Sequence, residues 1–198
     1  NELTTPAEAL ALAQSPGEQR AARVFEHYEK LLRAYNAVDF DDLIAIPVRL
    51  LRGNGDIRAQ WHKRVRYLLV DEYQDTNGAQ YELVRLLTGD REALTVVGDD
   101  DQSIYSWRGA RPENLARLQD DYPTLEVIKL EQNYRSTETI LKAANAVIAN
   151  NPSRLGKNLW TEGNEGEPIS LYAAFNEVDE ARFVVERIRQ YLEQGHSR

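Results

Sequence analysis

The 198-residue chain carries 32 Asp and Glu residues against 24 Lys and Arg residues, so its formal net charge is -8. The absence of Cys excludes disulfides, thiolate metal sites and cysteine nucleophiles. The acidic balance argues against a protein that coats nucleic acid by bulk charge, and no stretch approaches the roughly 18 consecutive apolar residues of a membrane span. The chain begins at Asn1 and contains no Met, which predicts an internal piece of a longer protein.

The amino-terminal region has a helical pattern of apolar residues. Residues 1–36 are predicted to be helical, because apolar side chains recur at helical spacing after the breakers at 15–17. Asp39 is predicted to cap a second helix, which Pro47 bends or ends. The Gly-Asn-Gly sequence at 53–55 then predicts a loop.

From residue 67 onward, strand and helix patterns alternate. Apolar runs predict four strands, at residues 67–70, 94–97, 125–130 and 169–173. Helices are predicted over residues 76–89, 136–152 and 178–192, the first two beginning at Thr76 and Ser136. This alternation predicts an α/β fold with a parallel sheet flanked by helices, its first three strands buried on both faces. Since residues 1–36 are helical only, we expect them to belong to a different subdomain from the sheet.

Polar residues follow each of the first three predicted strands, at 71–75 (Asp-Glu-Tyr-Gln-Asp), 98–102 (Gly-Asp-Asp-Asp-Gln) and 131–135 (Glu-Gln-Asn-Tyr-Arg). In open parallel sheets, ligands bind beyond the carboxyl ends of the strands, so these residues form the candidate site. Asp71 and Glu72 suit magnesium-assisted phosphoryl chemistry, in which one carboxylate holds Mg²⁺ and the next polarises an attacking water.

Both acidic groups also have a simpler interpretation. Asp71 and Glu72 are compatible with an ordinary polar end of a strand. The three adjacent Asp residues at 99–101 repel one another unless a cation or solvent relieves them, so they form either a cation site or a solvated turn.

The segment 102–111 interleaves aromatic residues with arginines. It contains Tyr105, Trp107 and two Arg, and it contains no Asp or Glu. Aromatic rings beside Arg hold single-stranded bases without sequence preference, at roughly 1–3 kcal/mol per stacked base. The alternative is that both rings belong to the core. Further along, Tyr134 and Arg135 are suited to stacking a purine and contacting a phosphate, or they form a surface pair.

The loop that cradles nucleotide phosphates, Gly-x-x-x-x-Gly-Lys-Ser/Thr, does not occur in this sequence. Three long segments nevertheless resemble motifs of superfamily 1 DNA helicases of the Rep, UvrD and PcrA group. Residues 68–77 (LLVDEYQDTN) resemble the DExx box, residues 97–110 (VGDDDQSIYSWRGA) resemble motif III, and residues 130–136 (LEQNYRS) resemble motif IV. The similarity extends to residues 39–43 and 176–184, so it covers nearly the whole chain.

The resemblance implies a role for each matching residue. Asp71 would coordinate Mg²⁺, and Glu72 would activate the hydrolytic water. Gln102 would sense the γ-phosphate of ATP and link the nucleotide state to DNA. Trp107 would stack on a base of the tracked strand, with Tyr105 nearby.

Three further residues complete the implied nucleotide site. Arg108 would support the Mg²⁺ and nucleotide side, Tyr134 would stack the adenine, and Arg135 would contact the γ-phosphate. The family fold also implies three segments: the helical tail of an inserted 1B-like subdomain at 1–36, the carboxyl-terminal part of the first RecA-like domain (1A) at 37–132, and the start of the second (2A) at 133–198.

The implied protein is a cytoplasmic P-loop NTPase that couples hydrolysis of ATP with Mg²⁺ to 3′-to-5′ movement on single-stranded DNA and unwinding of duplex junctions. Replication or repair proteins are its expected partners, and no membrane is involved. Since the phosphate-binding loop is absent, the 198-residue chain alone is expected to hydrolyse little or no ATP. Two alternatives stay open: a metal-dependent nuclease or phosphatase using Asp71, Glu72 and residues 99–101, and a non-catalytic DNA-binding module.

Overall fold

A computed structural model describes residues 3–152 and 154–195 of the protein. The described residues form two compact units, of which the first contains those up to Ile128 and also 154–155, and the second contains the others. Most of the regular structure is helical, with one small parallel sheet in the first unit. Across the described part of the chain, no helix is long and apolar enough to cross a membrane.

The amino-terminal region forms two helices. Helix α1 spans Pro6–Leu12, and helix α2 spans Pro16–Ala34. The hydroxyl of Ser15 accepts a hydrogen bond from the backbone N–H of Glu18, whose carboxylate accepts one from the backbone N–H of Ser15. This capping box makes the predicted breakers the start signal of α2. Residues 1–2 of the predicted helical stretch lie outside the described residues.

Helix α3 spans Asp42–Gly53. Its N-cap residue is Asp41 rather than the predicted Asp39. Asp39 still contacts the first turn, because Asp39 Oδ1 accepts a hydrogen bond from the backbone N–H of Asp42 at 2.9 Å. Pro47 lies inside the helix and does not end it. The apolar face of α3 buries Val48 and Leu51, and this packing offsets the hydrogen bond that proline cannot donate.

Helix α4, which spans Gly55–Arg64, corrects the predicted loop at residues 53–55. Asn54 separates α3 from α4, and its side-chain oxygen accepts a hydrogen bond from the backbone N–H of Ile57 at 3.0 Å. A single capping residue therefore connects the two helices where the Gly-Asn-Gly sequence predicted a loop.

Two strands pair in parallel, as predicted. Strand β1 spans Leu68–Val70 and strand β2 spans Leu94–Val96, in a register that places Leu69 opposite Thr95. The prediction that these strands are buried on both faces is wrong, because Leu69 is 73% exposed. The core packs against the opposite face of the sheet, which carries Leu68 and Val70 of β1 and Leu94 and Val96 of β2.

Helix α5 spans Gly78–Thr88 and stops at Gly89, as predicted. Its cap is Asn77 rather than the predicted Thr76. Asn77 forms a capping box with Gln80, whereas Thr76 is buried and donates its hydroxyl to a backbone carbonyl. Either residue type caps a helix well, so tertiary burial of Thr76 decided between them.

Helix α6, which spans Glu113–Asp121, was not predicted from the sequence and completes the core of the first unit. The fully or nearly buried side chains of that core are Tyr73, Tyr81, Val84, Leu118 and Tyr122. Burial raises the pKa of the Tyr73 phenol well above its usual value. The Tyr81 hydroxyl donates a hydrogen bond to the carboxylate of Asp121, which ties α5 to the end of α6.

The second unit contains two helices. Helix α7 spans Glu138–Ile148, two residues later than the predicted start at Ser136, and helix α8 spans Glu177–Glu193. A single parallel bridge pairs Gln132 with Trp160. Among the described residues of this unit, the only buried apolar side chain is that of Leu141.

The third and fourth predicted strands are absent from the described structure. Leu125 packs against the core of the first unit, but residues 126–130 form no ladder. Residues 169–173 are also irregular, and Leu171 is 96% exposed. An apolar run becomes a strand only where a neighbouring strand accepts its hydrogen bonds, and neither run has such a neighbour in the described residues.

Candidate functional site

The carboxyl ends of β1 and β2 lie side by side. Val97 N–H donates a hydrogen bond to Val70 O at 2.8 Å, and Tyr73 N–H donates one to Val97 O at 3.0 Å. These two bonds continue the parallel pairing past the strands. The polar segments after β1 and β2 therefore leave the sheet at the same edge, as the sequence predicts. We call residues 71–72 and 99–102 the acidic edge.

The first part of the acidic edge is an unusual turn. Glu72 has φ 50° and ψ 43°, the left-handed conformation, which is uncommon for a residue other than glycine. Its backbone N–H donates a hydrogen bond to Asp71 Oδ1 at 2.9 Å. Both side chains are exposed. Within the described residues Asp71 forms no ion pair, so its carboxylate offers the hard oxygen ligands that Mg²⁺ prefers.

The two parts of the acidic edge are joined by Gln74, which sequence reasoning did not single out. Gln74 Nε2 donates a hydrogen bond to Glu72 Oε2 at 2.8 Å, and Gln74 Oε1 accepts one from the backbone N–H of Asp99 at 3.0 Å. The side chain is 1% exposed. A β-carbon on Gly98 would lie 3.1 Å from Gln74 Oε1, so the glycine leaves room for the amide.

The three adjacent aspartates are held by specific donors. Their carboxylate oxygens lie within 4.8 Å of one another. Asp99 Oδ2 accepts a hydrogen bond from Gln102 Nε2 at 2.6 Å. Arg154 forms a two-pronged ion pair with Asp101, at 2.8 and 2.6 Å. The backbone N–H of Leu155 donates a hydrogen bond to Asp100 Oδ2.

This arrangement adds an arginine to the two sequence interpretations of residues 99–101, a cation site and a solvated turn. The hydrogen bonds to Asp101 raise the pKa of the Arg154 guanidinium, which stays charged and relieves the repulsion between the acids. A cation that coordinated Asp101 would have to displace Arg154. The cluster is therefore a turn in which Arg154 pairs with Asp101.

The segment after the acidic edge contains one half-buried aromatic ring, that of Tyr105, and one exposed ring, that of Trp107. The guanidinium carbon of Arg108 lies 5.0 Å from the ring centroid of Tyr105 and 4.6 Å from that of Trp107. The two ring centroids are 6.5 Å apart. Trp107 is 73% exposed, so the alternative that it is a core residue is wrong. We call residues 105–108 the aromatic segment.

Two predicted site residues lie in the second unit. Tyr134 is 85% exposed, and its hydroxyl donates a hydrogen bond to Gln132 Oε1 at 2.7 Å. The backbone N–H groups of Arg135 and Ser136 both donate to Asn133 Oδ1, at 2.9 and 2.8 Å. This side-chain turn leads into α7 and leaves the ring of Tyr134 and the Arg135 side chain exposed to solvent.

Family comparisons cover almost the whole sequence. The model of the UvrD/REP helicase N-terminal domain matches residues 1–123, and that of the UvrD-like helicase C-terminal domain matches residues 128–198. The chain belongs to the UvrD/REP helicase family. The resemblance of the three motifs to this group of helicases is thereby confirmed.

Individual relatives of this UvrD/REP chain are named as DNA helicases. It is 54% identical to the ATP-dependent DNA helicase Rep of Salmonella typhimurium strain LT2 over 184 residues, which cover 93% of the chain and 27% of that relative. It is 51% identical to DNA helicase II of Escherichia coli strain K12, over 91% of the chain and 25% of the relative. It is 47% identical to the ATP-dependent DNA helicase PcrA of Staphylococcus aureus strain Mu50, over 98% of the chain and 27% of the relative. The chain thus spans about a quarter of the length of these curated relatives.

Proposed function

We propose that this chain is the hydrolytic and DNA-holding section of an ATP-dependent DNA helicase that moves 3′ to 5′ on single-stranded DNA and unwinds duplex junctions. The observation that carries this proposal is the convergence of Glu72 and Gln102 on one edge of a parallel sheet, followed closely by the exposed ring of Trp107. Names of relatives such as the ATP-dependent DNA helicase Rep support the same reaction.

On the nucleotide side, Glu72 is the proposed general base. Its carboxylate takes a proton from the water whose oxygen attacks the γ-phosphorus of ATP, while the bond from that phosphorus to the bridging oxygen of ADP breaks. Asp71 would hold Mg²⁺, which supplies charge neutralisation on the phosphates when bound. Gln102 contacts the γ-phosphate in this scheme and reports the loss of that phosphate to the following segment.

On the DNA side, the aromatic segment is the proposed base-stacking platform. Trp107 presents an exposed ring, and Arg108 lies over the rings of both Trp107 and Tyr105. In this proposal the guanidinium of Arg108 follows the phosphates, and the stacking is tolerant of sequence because every base has a π-face. Arg108 contacts DNA in this proposal and also supports the bound nucleotide and Mg²⁺.

The remaining nucleotide contacts in this proposal are Tyr134, which stacks the adenine, and Arg135, which contacts the γ-phosphate. The corresponding segments are a helical tail of a 1B-like subdomain at 1–36, part of a first RecA-like domain at 37–132 and the start of a second at 133–198. Hydrolysis would open and close the cleft between those two RecA-like domains and so move the motor. Replication or repair proteins are the proposed partners of the complete motor.

The decisive experiment compares the full-length protein that contains this chain with the 198-residue chain alone. We expect the full-length protein to hydrolyse ATP faster with single-stranded DNA and to unwind a 3′-tailed duplex in preference to a 5′-tailed one. We expect the chain alone to hydrolyse little ATP, because its sequence contains no phosphate-binding loop.

The same comparison separates the alternatives. Cleavage of DNA with Mg²⁺ or Mn²⁺ and no nucleotide would replace the helicase proposal with a nuclease. DNA binding without turnover by the full-length protein would make it a non-catalytic module. ATP hydrolysis by the isolated chain at the full-length rate would refute the need for a separate phosphate-binding loop.

A further inference from the structure

Gln74 is a buried amide whose two polar ends are both used. It lies in the short 3-10 turn Tyr73–Asp75, directly after Glu72. Its Nε2 donates to the carboxylate of Glu72, and its Oε1 accepts from the backbone N–H of Asp99. A buried side chain that joins the ends of two neighbouring strands through both ends of one amide cannot rotate without breaking both bonds.

The chemistry of this contact suits the orientation of a base. The amide is neutral, so it holds one oxygen of the Glu72 carboxylate without supplying the positive charge that would weaken the carboxylate as a base. Within the part of the chain that the structure describes, the other oxygen, Glu72 Oε1, accepts no hydrogen bond. That oxygen is therefore the one left for a water molecule.

The hydrogen bonds continue beyond Gln74. Asp99, whose backbone N–H is held by Gln74, accepts a hydrogen bond from Gln102 Nε2 through Oδ2. A path of three hydrogen bonds thus runs from the carboxylate of Glu72 to the amide of Gln102, within one compact unit. The amide Oε1 of Gln74 also lies against Gly98, where a β-carbon would come within 3.1 Å.

We propose that Gln74 is a positioning residue that aims the carboxylate of Glu72 and links its orientation to Gln102. The inference rests on the proposed ATP hydrolysis and deepens it. When Gln102 or the aromatic segment that follows it changes its contacts, Asp99 and Gln74 carry the change to the base. The stimulation of ATP hydrolysis by DNA then depends on a side chain that contacts neither ligand.

The test uses the full-length protein that contains this chain and two variants, Gln74→Met and Gln74→Glu. Methionine is similar in length and removes both hydrogen bonds, whereas glutamate keeps the shape and places a second carboxylate beside Glu72. The control is Asn114→Leu, which removes another fully buried amide of the same unit, one that donates to the backbone carbonyl of Thr76. Melting temperature, kcat and KM for ATP, and affinity for single-stranded DNA are measured for each protein.

We expect both Gln74 variants to lower kcat by about 10²-fold, the scale of a misplaced general base, with KM and DNA affinity within about 3-fold of wild type. We expect Asn114→Leu to lower the melting temperature while its kcat per folded molecule is unchanged. If either Gln74 variant folds and keeps the wild-type kcat and DNA stimulation, the positioning role is overturned. A wild-type protein without DNA-stimulated ATPase activity would instead overturn the proposed function on which the role depends.

The link to Gln102 has its own measurement, a double-mutant cycle with Gln74→Met and Gln102→Met. If the two residues act through one path, the double variant loses little DNA stimulation beyond the worse single variant, within about 3-fold. Losses that multiply as for independent sites would remove the proposed link.

Discussion

The acidic edge and the aromatic segment are neighbours in the sequence, but they are held in opposite ways. At the acidic edge, Gln74 and Arg154 fix the carboxylates through specific hydrogen bonds and an ion pair. In the aromatic segment, Trp107 is exposed, and the guanidinium carbon of its neighbour Arg108 lies 4.6 Å from its ring centroid. Chemistry at a fixed centre gains from groups that are already in place, whereas a ring that stacks on successive bases has to stay accessible.

The largest effect is expected for Glu72→Gln in the full-length protein, which tests whether the acidic edge carries the chemistry. If the acidic edge carries the chemistry, removing the base lowers kcat for ATP by about 10²- to 10⁴-fold and leaves nucleotide and DNA affinity unchanged. The control is Glu92→Gln, because Glu92 is also exposed and also left-handed, with φ 53°. Steady-state ATPase assays and binding of a fluorescent ATP analogue measure the two effects. Surviving turnover would remove Glu72 from the role of base.

A second large effect concerns the core below the acidic edge. Leu118 is 2% exposed and packs in the cluster that includes Tyr73, the residue after Glu72. Leu118→Ala is expected to lower the free energy of unfolding by about 2–5 kcal/mol, whereas Leu171→Ala at a 96% exposed position changes it by less than about 0.5 kcal/mol. Urea unfolding followed by circular dichroism measures both. Equal effects at the two leucines would contradict the assignment of the core.

A smaller effect is expected in the aromatic segment. Trp107→Ala should weaken binding of single-stranded DNA by about 1–3 kcal/mol, roughly 5- to 150-fold, with little loss of stability because the ring is exposed. Trp61→Ala is the matched control, since Trp61 also lies beneath an arginine, with Arg64 at 5.7 Å. Fluorescence anisotropy with labelled oligonucleotides measures the affinity. An unchanged affinity for Trp107→Ala would remove its stacking role.

The smallest effect lies far from both regions, in the capping box of α2. Hydrogen bonds from the backbone N–H groups of Gln14 and Ser15 lower the pKa of Glu18 below its usual 4.5. Its contribution to helix stability is therefore complete above pH 4.5 and is lost as the pH falls through the lowered pKa. Glu18→Gln keeps a capping side chain without a titrating group, so the difference in helicity between variant and wild type should change only below about pH 4.5.

A circular dichroism titration of the two proteins measures that difference. A difference that instead changed near neutral pH would contradict the assignment to Glu18. Activity at the acidic edge and DNA binding by the aromatic segment should be the same in both proteins at neutral pH.

Local patterns in the sequence correctly predicted two strands and a helix end of the structure. Short apolar runs followed by acids identified β1, β2 and their parallel pairing, because adjacent parallel strands must deliver their carboxyl ends to one edge. Gly89 is the predicted end of α5, because the end of a helix depends on one or two residues. The prediction of a strand at 125–130 is wrong, since a strand also requires a partner strand that no local pattern reveals.

The sequence by itself determined the family, the order of the motifs and the acids that leave the sheet, because these depend on residue type and spacing along the chain. The tertiary structure alone decided which polar groups meet. Gln74 and Arg154 become partners of residues 99–101 only when the fold brings them within hydrogen-bond distance of Asp99 and Asp101, which lie 25 and 53 positions away. It also decided that one face of the sheet is covered and the other is not, since burial is a property of neighbouring elements rather than of any one stretch of sequence.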